Sequence, residues 1–204
     1  MTVAIAKGIN EISEKSPQAI SNKMSFDEFL AFDDGTENFY ELENGELILM
    51  SSESELNQRI ASFLFAYFLK QGIPYYRLRM KTEIAVHSRL VGVRIPDLVV
   101  FSEELATTMQ GATRSLIMMD MPSPLLVVEV VSPNQESRDY RYKRSEYAAR
   151  GIMEYWVVDA IAQKMTIFTW VEGFYDEKVY VGDESIASPL FGDLQLTAAQ
   201  VLNG

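Results

Sequence analysis

The sequence predicts an α/β protein built on a mixed β-sheet flanked by helices. Two kinds of segment alternate along it. Apolar runs of strand length, such as "LLVVEVV" and "EYWVVD", are separated by stretches whose apolar residues recur at helical spacing. Between "FYELE" and "ELILM" stands Asn44-Gly45, the strongest short hairpin signal. Runs of both periods in one chain of 204 residues point to helices packed on a sheet in a single domain.

In chain order, residues 1–22 have weak periodicity and read as a mobile leader ahead of a domain spanning 23–204. Ser25 and Glu28 form a capping box for a short helix carrying Phe26, Phe29 and Leu30. After the hairpin, Ser52 and Glu55 suggest a second capping box. Leu56, Ile60, Phe63, Leu64, Tyr67 and Phe68 then line one face of a long helix, stopped by Gly72 and Pro74. Residues 75–86 read as a strand, and "VRIPDLVVF" as another with Pro96 near its start. Residues 103–123 read as a loop or partly helical excursion, with Met118, Met119 and Met121 as a hydrophobic flap. The strand 125–131 follows, then a helix over 137–150 that Gly151 ends. "EYWVVD" is a strand, "MTIFTWV" and "EKVYV" a further hairpin, and 197–203 a last short helix.

Composition narrows the chemistry. There is no Cys, which excludes disulfides, thiolate zinc sites and a Cys nucleophile, and a reducing cytoplasm fits. His87 is the only His, so zinc sites built on several histidines are excluded, and any Ser-His-Asp triad would run through it. It reads as a strand-end or loop residue, and Tyr155 and Trp156 read as packing groups. No stretch approaches the roughly 20 apolar residues of a membrane span. The net charge of −11 argues against a general nucleic-acid coat. The charge is uneven: five basic residues against Glu83 give 77–94 a net of +4, and five against Asp139 and Glu146 give 137–150 a net of +3. These segments are either solvated faces paired with acids or a local phosphate-binding patch.

The residues that call for explanation are carboxylates in apolar strands. Glu129 interrupts Leu125 to Val131, and a carboxylate there needs a cation, a hydrogen-bond donor or a metal. A buried ion pair with Arg94 would also serve. Asp97, after Pro96, interrupts a second apolar strand. It is either a turn residue or the partner of Glu129 in a site where a divalent cation relieves their repulsion. Hard oxygen ligands suit Mg²⁺ or Mn²⁺. Lys143 stands four residues after Asp139 on the next helix. The two form a surface pair, or Lys143 reaches back to the acids and its ammonium orients a water. Glu41 is either an exposed hairpin carboxylate or a further member of the site.

Asp97 after Pro96, followed by Glu129 in an apolar strand, resembles the PD-(D/E)xK nuclease superfamily. "YELENGEL", "RIPDLVVF", "LLVVEVVSP" and "RDYRYKRSEYAARGIMEYWVVD" together resemble the Uma-two type family of bacterial restriction-endonuclease-like proteins, over about residues 24–203. The resemblance implies a restriction-endonuclease-like fold and a metal-dependent endonuclease acting on DNA. It implies a catalytic set of Glu41, Asp97, Glu129 and Lys143, and Mg²⁺ or Mn²⁺ on Asp97, Glu129 and the Val130 carbonyl. Asp139 lies in the same motif. Arg138, Arg141 and Arg144 are candidates for phosphate contacts, and a homodimer is expected, since symmetric dimers are the commonest oligomers. Two positions depart from the pattern. Val131 stands where the superfamily has its Lys, which many members carry on the following helix instead, where Lys143 lies. Asn57 stands where members often have a His, and Asn cannot titrate near neutral pH. The rival expectations are a weakened nuclease-fold protein acting as a binding or regulatory module, and an interaction protein whose acidic surface meets a basic partner.

Overall fold

A computed structural model describes residues 23–50, 52–87, 90–133 and 136–204. The expected leader, 1–22, lies outside the described residues. In chain order the elements are α1 (Phe26–Leu30), β1 (Tyr40–Glu43), β2 (Glu46–Leu49), α2 (Glu55–Lys70), a 3₁₀ turn (Tyr75–Arg77), β3 (Leu78–Arg79), β4 (Glu83–His87), β5 (Val91–Arg94) and β6 (Leu98–Val100). There follow α3 (Glu103–Thr108), β7 (Leu116–Ile117), β8 (Leu126–Val130), a π-helical segment (Arg138–Lys143) and α4 (Arg144–Arg150). The chain ends with β9 (Glu154–Asp159), β10 (Lys164–Val171), β11 (Phe174–Val181), β12 (Ser185–Ser188), β13 (Gly192–Thr197) and α5 (Ala198–Asn203).

The mixed α/β architecture is the one expected, but the strands divide into two larger sheets and a β12–β13 hairpin. One sheet has the order β2-β1-β5-β4-β7, the other β11-β10-β9-β8-β6-β3. Both are mixed: β4–β7 and β8–β9 pair in parallel, and the other neighbours are antiparallel. The division falls at Pro96. "VRIPDLVVF", expected as one strand, is β5 of the first sheet and β6 of the second, because proline has no N–H for a ladder. The 75–86 strand is likewise two short strands in different sheets, and 103–123 holds α3 and β7.

The second sheet is covered on both faces. Ile60, Leu64 and Phe68 of α2 and Val201 of α5 pack against Leu126, Val128 and Val130 on one side, with Trp156. On the other, Tyr147 of α4, Leu105 of α3 and Ile84 and Val86 of the first sheet pack against Val127, Val131 and Tyr155. Tyr155 and Trp156 are core residues, as expected, and His87 is exposed at the end of β4. The Ser25–Glu28 capping box forms. The second one does not: α2 begins at Glu55, and its N-cap is Ser54, whose hydroxyl accepts from the Asn57 N–H. Among the described residues no helix is long and apolar enough to cross a membrane.

Candidate active site

Side chains alternate across a strand, so Glu129 shares its face of β8 with Val127 and Val131. That is the face covered by α4, and α4 and the segment before it supply the partners of Glu129. Oε2 accepts from the Lys143 ammonium at 2.7 Å and Oε1 from the Tyr147 hydroxyl at 2.8 Å. The partner is therefore Lys143 rather than Arg94. The pairing Leu98↔Val128 and Val99↔Val127, continued one step, sets Asp97 beside Glu129. Asp97 is tied there by its own N–H to the Val128 carbonyl (3.1 Å) and by its Oδ2 to the Val130 N–H (2.6 Å). Its Oδ1 accepts from Lys81 at 3.3 Å.

Lys143 is buried, not a surface residue. The segment Arg138–Lys143 is wound as a π-helix, a distortion often found at functional sites. It turns both Asp139 and Lys143 inward, where they pair at 3.2 Å. The ammonium also lies 3.5 Å from Glu41 Oε1. Glu41 is fully buried, not an exposed hairpin carboxylate. Its Oε1 accepts from the Ile95 N–H, and its Oε2 from Arg94 (3.1 Å) and Arg138 (2.7 Å).

Three carboxylates thus divide one ammonium. Burial alone would raise the Glu41 carboxyl, but the charges of Lys143, Arg94 and Arg138 outweigh it and hold it at about 2. Glu129 goes the other way. Burial, against the pull of Lys143 and with the repulsion of Asp139, Asp97 and Glu41, pushes it up to about 8. Asp139 is raised by burial as well. Burial would strip Lys143 of its proton, but Glu129, Glu41 and Asp139 together hold its pKa above the ordinary lysine value, so it stays charged.

All four predicted catalytic residues line one cavity of about 230 Å³, together with Val130, Arg138 and Asp139. Among the described residues no group of three or more His, Cys, Asp or Glu side chains could hold a metal ion. The donor set expected from the sequence is two carboxylates, Asp97 and Glu129, and the Val130 carbonyl, which accepts from Asn57 Nδ2 at 3.4 Å. That set fits Mg²⁺, a hard ion that keeps several waters and takes only one or two carboxylates. Of the arginines expected at phosphate, Arg138 binds Glu41 and Glu43, and Arg144 binds Glu177. Arg141 is exposed.

Residues 26–199 match the Uma2 family, described as "Putative restriction endonuclease". The chain belongs to the Uma2 family. A crystal structure titled as a putative nuclease belonging to DUF820, from Anabaena variabilis, is 18% identical. It covers 88% of this chain and 97% of its own, with a TM-score of 0.71, so the two share a fold. Among curated proteins none matches.

Of the groups that hold this Uma2 site in place, the sequence pointed to Arg94, but as a partner of Glu129, and it did not single out Lys81 or Tyr147. Arg94 is fully buried. It forms a bidentate pair with Glu146 (2.7 and 2.9 Å) and also binds Glu41 and Glu43. Lys81, with Glu53 and Asp97, was hidden among the charges of 77–94. Tyr147 gave only the signal of an aromatic at helical spacing.

Proposed function

We propose that this chain is a divalent-metal-dependent endonuclease that hydrolyses phosphodiester bonds of DNA. The observation that carries the reading is the buried Lys143 ammonium, 2.7 Å from Glu129 in the cavity that Asp97 also lines. Asp97, Glu129 and the Val130 carbonyl would hold Mg²⁺ or Mn²⁺. Such an ion, when bound, acidifies a coordinated water and neutralises charge on a phosphoryl group.

The chain's own residues prepare the rest. Lys143 keeps its proton and stands fixed by Glu129 and Asp139, so it can donate to an attacking water or a phosphate oxygen with little reorganisation. The Tyr147 hydroxyl holds the second oxygen of Glu129 and limits rotation of that carboxylate. Glu41 keeps a negative charge beside Lys143 and so favours the ammonium form. Arg94 and Arg138 hold Glu41 against β5. A homodimer would bring two such cavities to one duplex.

A second reading is a binding or regulatory module on the same scaffold. It draws support from Asn57, whose amide is committed to Ser132 and the Val130 carbonyl. Val131, where the motif has its Lys, is packed into the core.

The test is nicking of supercoiled plasmid in Mg²⁺ and in Mn²⁺ by wild type, Glu129→Ala and Lys143→Ala, with EDTA as control. Metal-dependent nicking that both substitutions lower at least a hundredfold is expected. Equal nicking by wild type and Glu129→Ala removes the assignment. Mn²⁺ binding that needs Glu129, without nicking, selects the binding module.

A further inference from the structure

Lys81 is none of the residues to which a catalytic or metal-holding role was given above, yet its ammonium touches one of them, Asp97. It stands on the connection between β3 and β4, which belong to different sheets. Its backbone is left-handed, with φ of 57°. Asn44, Gln163 and Glu172, the other described non-glycine residues with positive φ, lie in turns between paired neighbouring strands. A lysine gains no turn chemistry from that conformation, so the surroundings must impose it. Two contacts do so in part. The ammonium pairs with Glu53 in the segment before α2, and it lies 3.3 Å from Asp97 Oδ1. Since Oδ2 of Asp97 is taken by the Val130 N–H, Oδ1 is the oxygen best placed to meet a cation.

We infer that Lys81 and the divalent cation are alternative partners of Asp97 Oδ1, so that metal binding requires the Lys81 ammonium to withdraw. This rests on the reading of Asp97 as a metal ligand. The fold supplies a place to withdraw to. A second cleft of about 220 Å³ is lined by Lys81, Glu37 and Gln58, and shares Met50, Ser52 and Glu53 with the site cavity. Glu53 lies at the boundary of both. Lys81 can therefore swing on its four-carbon stem, keep Glu53 as a partner and vacate Asp97. The side chain is about a quarter exposed, so the movement displaces no core residue. The exchange is one cation for another at a carboxylate. It keeps Asp97 paired whether or not metal is bound, and it sets a threshold concentration of metal for loading.

The experiment is Mn²⁺ binding by calorimetry to wild type and Lys81→Met, both checked for equal melting temperature. It is joined by acetylation of the wild-type lysines read by peptide mass spectrometry with and without Mn²⁺. We expect Lys81→Met to bind Mn²⁺ about tenfold more tightly, the scale of one charge-assisted hydrogen bond removed from competition. Acetylation of Lys81 should rise several-fold on adding Mn²⁺ to wild type and stay unchanged in Asp97→Asn. The labelling separates exchange from a mere change of field, since losing a distant charge would not uncover Lys81. Equal Mn²⁺ affinity, or Lys81 labelling that Mn²⁺ leaves unchanged, overturns the inference and spares the metal site. Mn²⁺ binding by neither protein overturns the metal site and the inference together.

Discussion

Burying Arg94 completely takes a guanidinium from water, a cost of several kcal/mol that only close partners offset. Its fork meets Glu146 side-on, and its remaining nitrogen meets Glu41 and Glu43. Glu41 in turn gains from Arg94, Arg138 and Lys143, and this gain depends on pH. Its carboxyl, ordinarily near 4.5, sits at about 2 in the folded chain. A depressed folded value means that the unfolded chain binds the proton more readily. The stabilisation is therefore full above 4.5 and drains away as pH falls toward 2. Glu41→Gln should cost about 3 kcal/mol at pH 7 and somewhat under half of that by pH 3, because the proton removes the same charge from wild type. Urea denaturation of both proteins across this range measures it. A difference that stays constant with pH would mean that packing, not charge, holds Glu41. At this scale the sequence was legible where a charge broke an apolar run, as at Glu129 and Asp97. It was opaque where the charge had an unremarkable neighbourhood: Arg94 and Glu146 are 52 positions apart, and nothing local pairs them.

At the scale of elements, the site depends on how closely β1 lies against β5. β5 carries Gly92, and a Cβ there would stand 2.6 Å from the Leu42 carbonyl oxygen, a backbone atom that cannot step aside. The glycine lets β1 approach, and β1 brings Glu41 to Arg94 and to the Ile95 N–H. Gly92→Ala should push the strands apart and destabilise the fold by about 1–3 kcal/mol, the usual cost of overpacking. It should also weaken Mn²⁺-dependent nicking although residue 92 lines no part of the cavity. Thermal unfolding and plasmid nicking test the two effects, and unchanged stability would show that β1 tolerates the added methyl. Strong local signals were legible here: the Asn44-Gly45 turn forms, with positive φ at both residues, and α2 and β8 lie where periodicity put them. The start of α2 was misplaced because S-x-x-E fits Ser52 and Glu55, while the cap needs only a backbone N–H and Ser54 takes that of Asn57. The π-helical winding of 138–143 has no signature in residue type, since i, i+4 spacing brings Asp139 and Lys143 to one face in either helix.

At the scale of the whole molecule, the site is a junction. Glu41 comes from the first sheet, Glu129 from the second and Lys143 from the helical layer, while Asp97 sits where the chain crosses between sheets. This junction works inside a chain with a net charge of −11, which repels a polyanion. The basic segment 137–150 does little to reverse that, because every basic residue in it except the exposed Arg141 is held by carboxylates or carbonyls of the chain. Arg138 binds Glu41 and Glu43, Arg144 binds Glu177, and Arg150 binds the carbonyls of Met118, Met119 and Met121. DNA binding should therefore depend on the divalent ion rather than on a basic face. Fluorescence anisotropy of a labelled duplex, with Lys143→Ala so that cleavage does not consume it, should show binding in Mg²⁺ that EDTA abolishes. The slope of log affinity against log monovalent salt should stay below about 3 in magnitude, since each phosphate neutralised contributes about 0.9. A slope of about 6 or more, or binding that persists in EDTA, would mean that a basic surface carries the duplex, and Arg138, Arg144 and Arg150 would then have to leave the carboxylates and carbonyls that hold them.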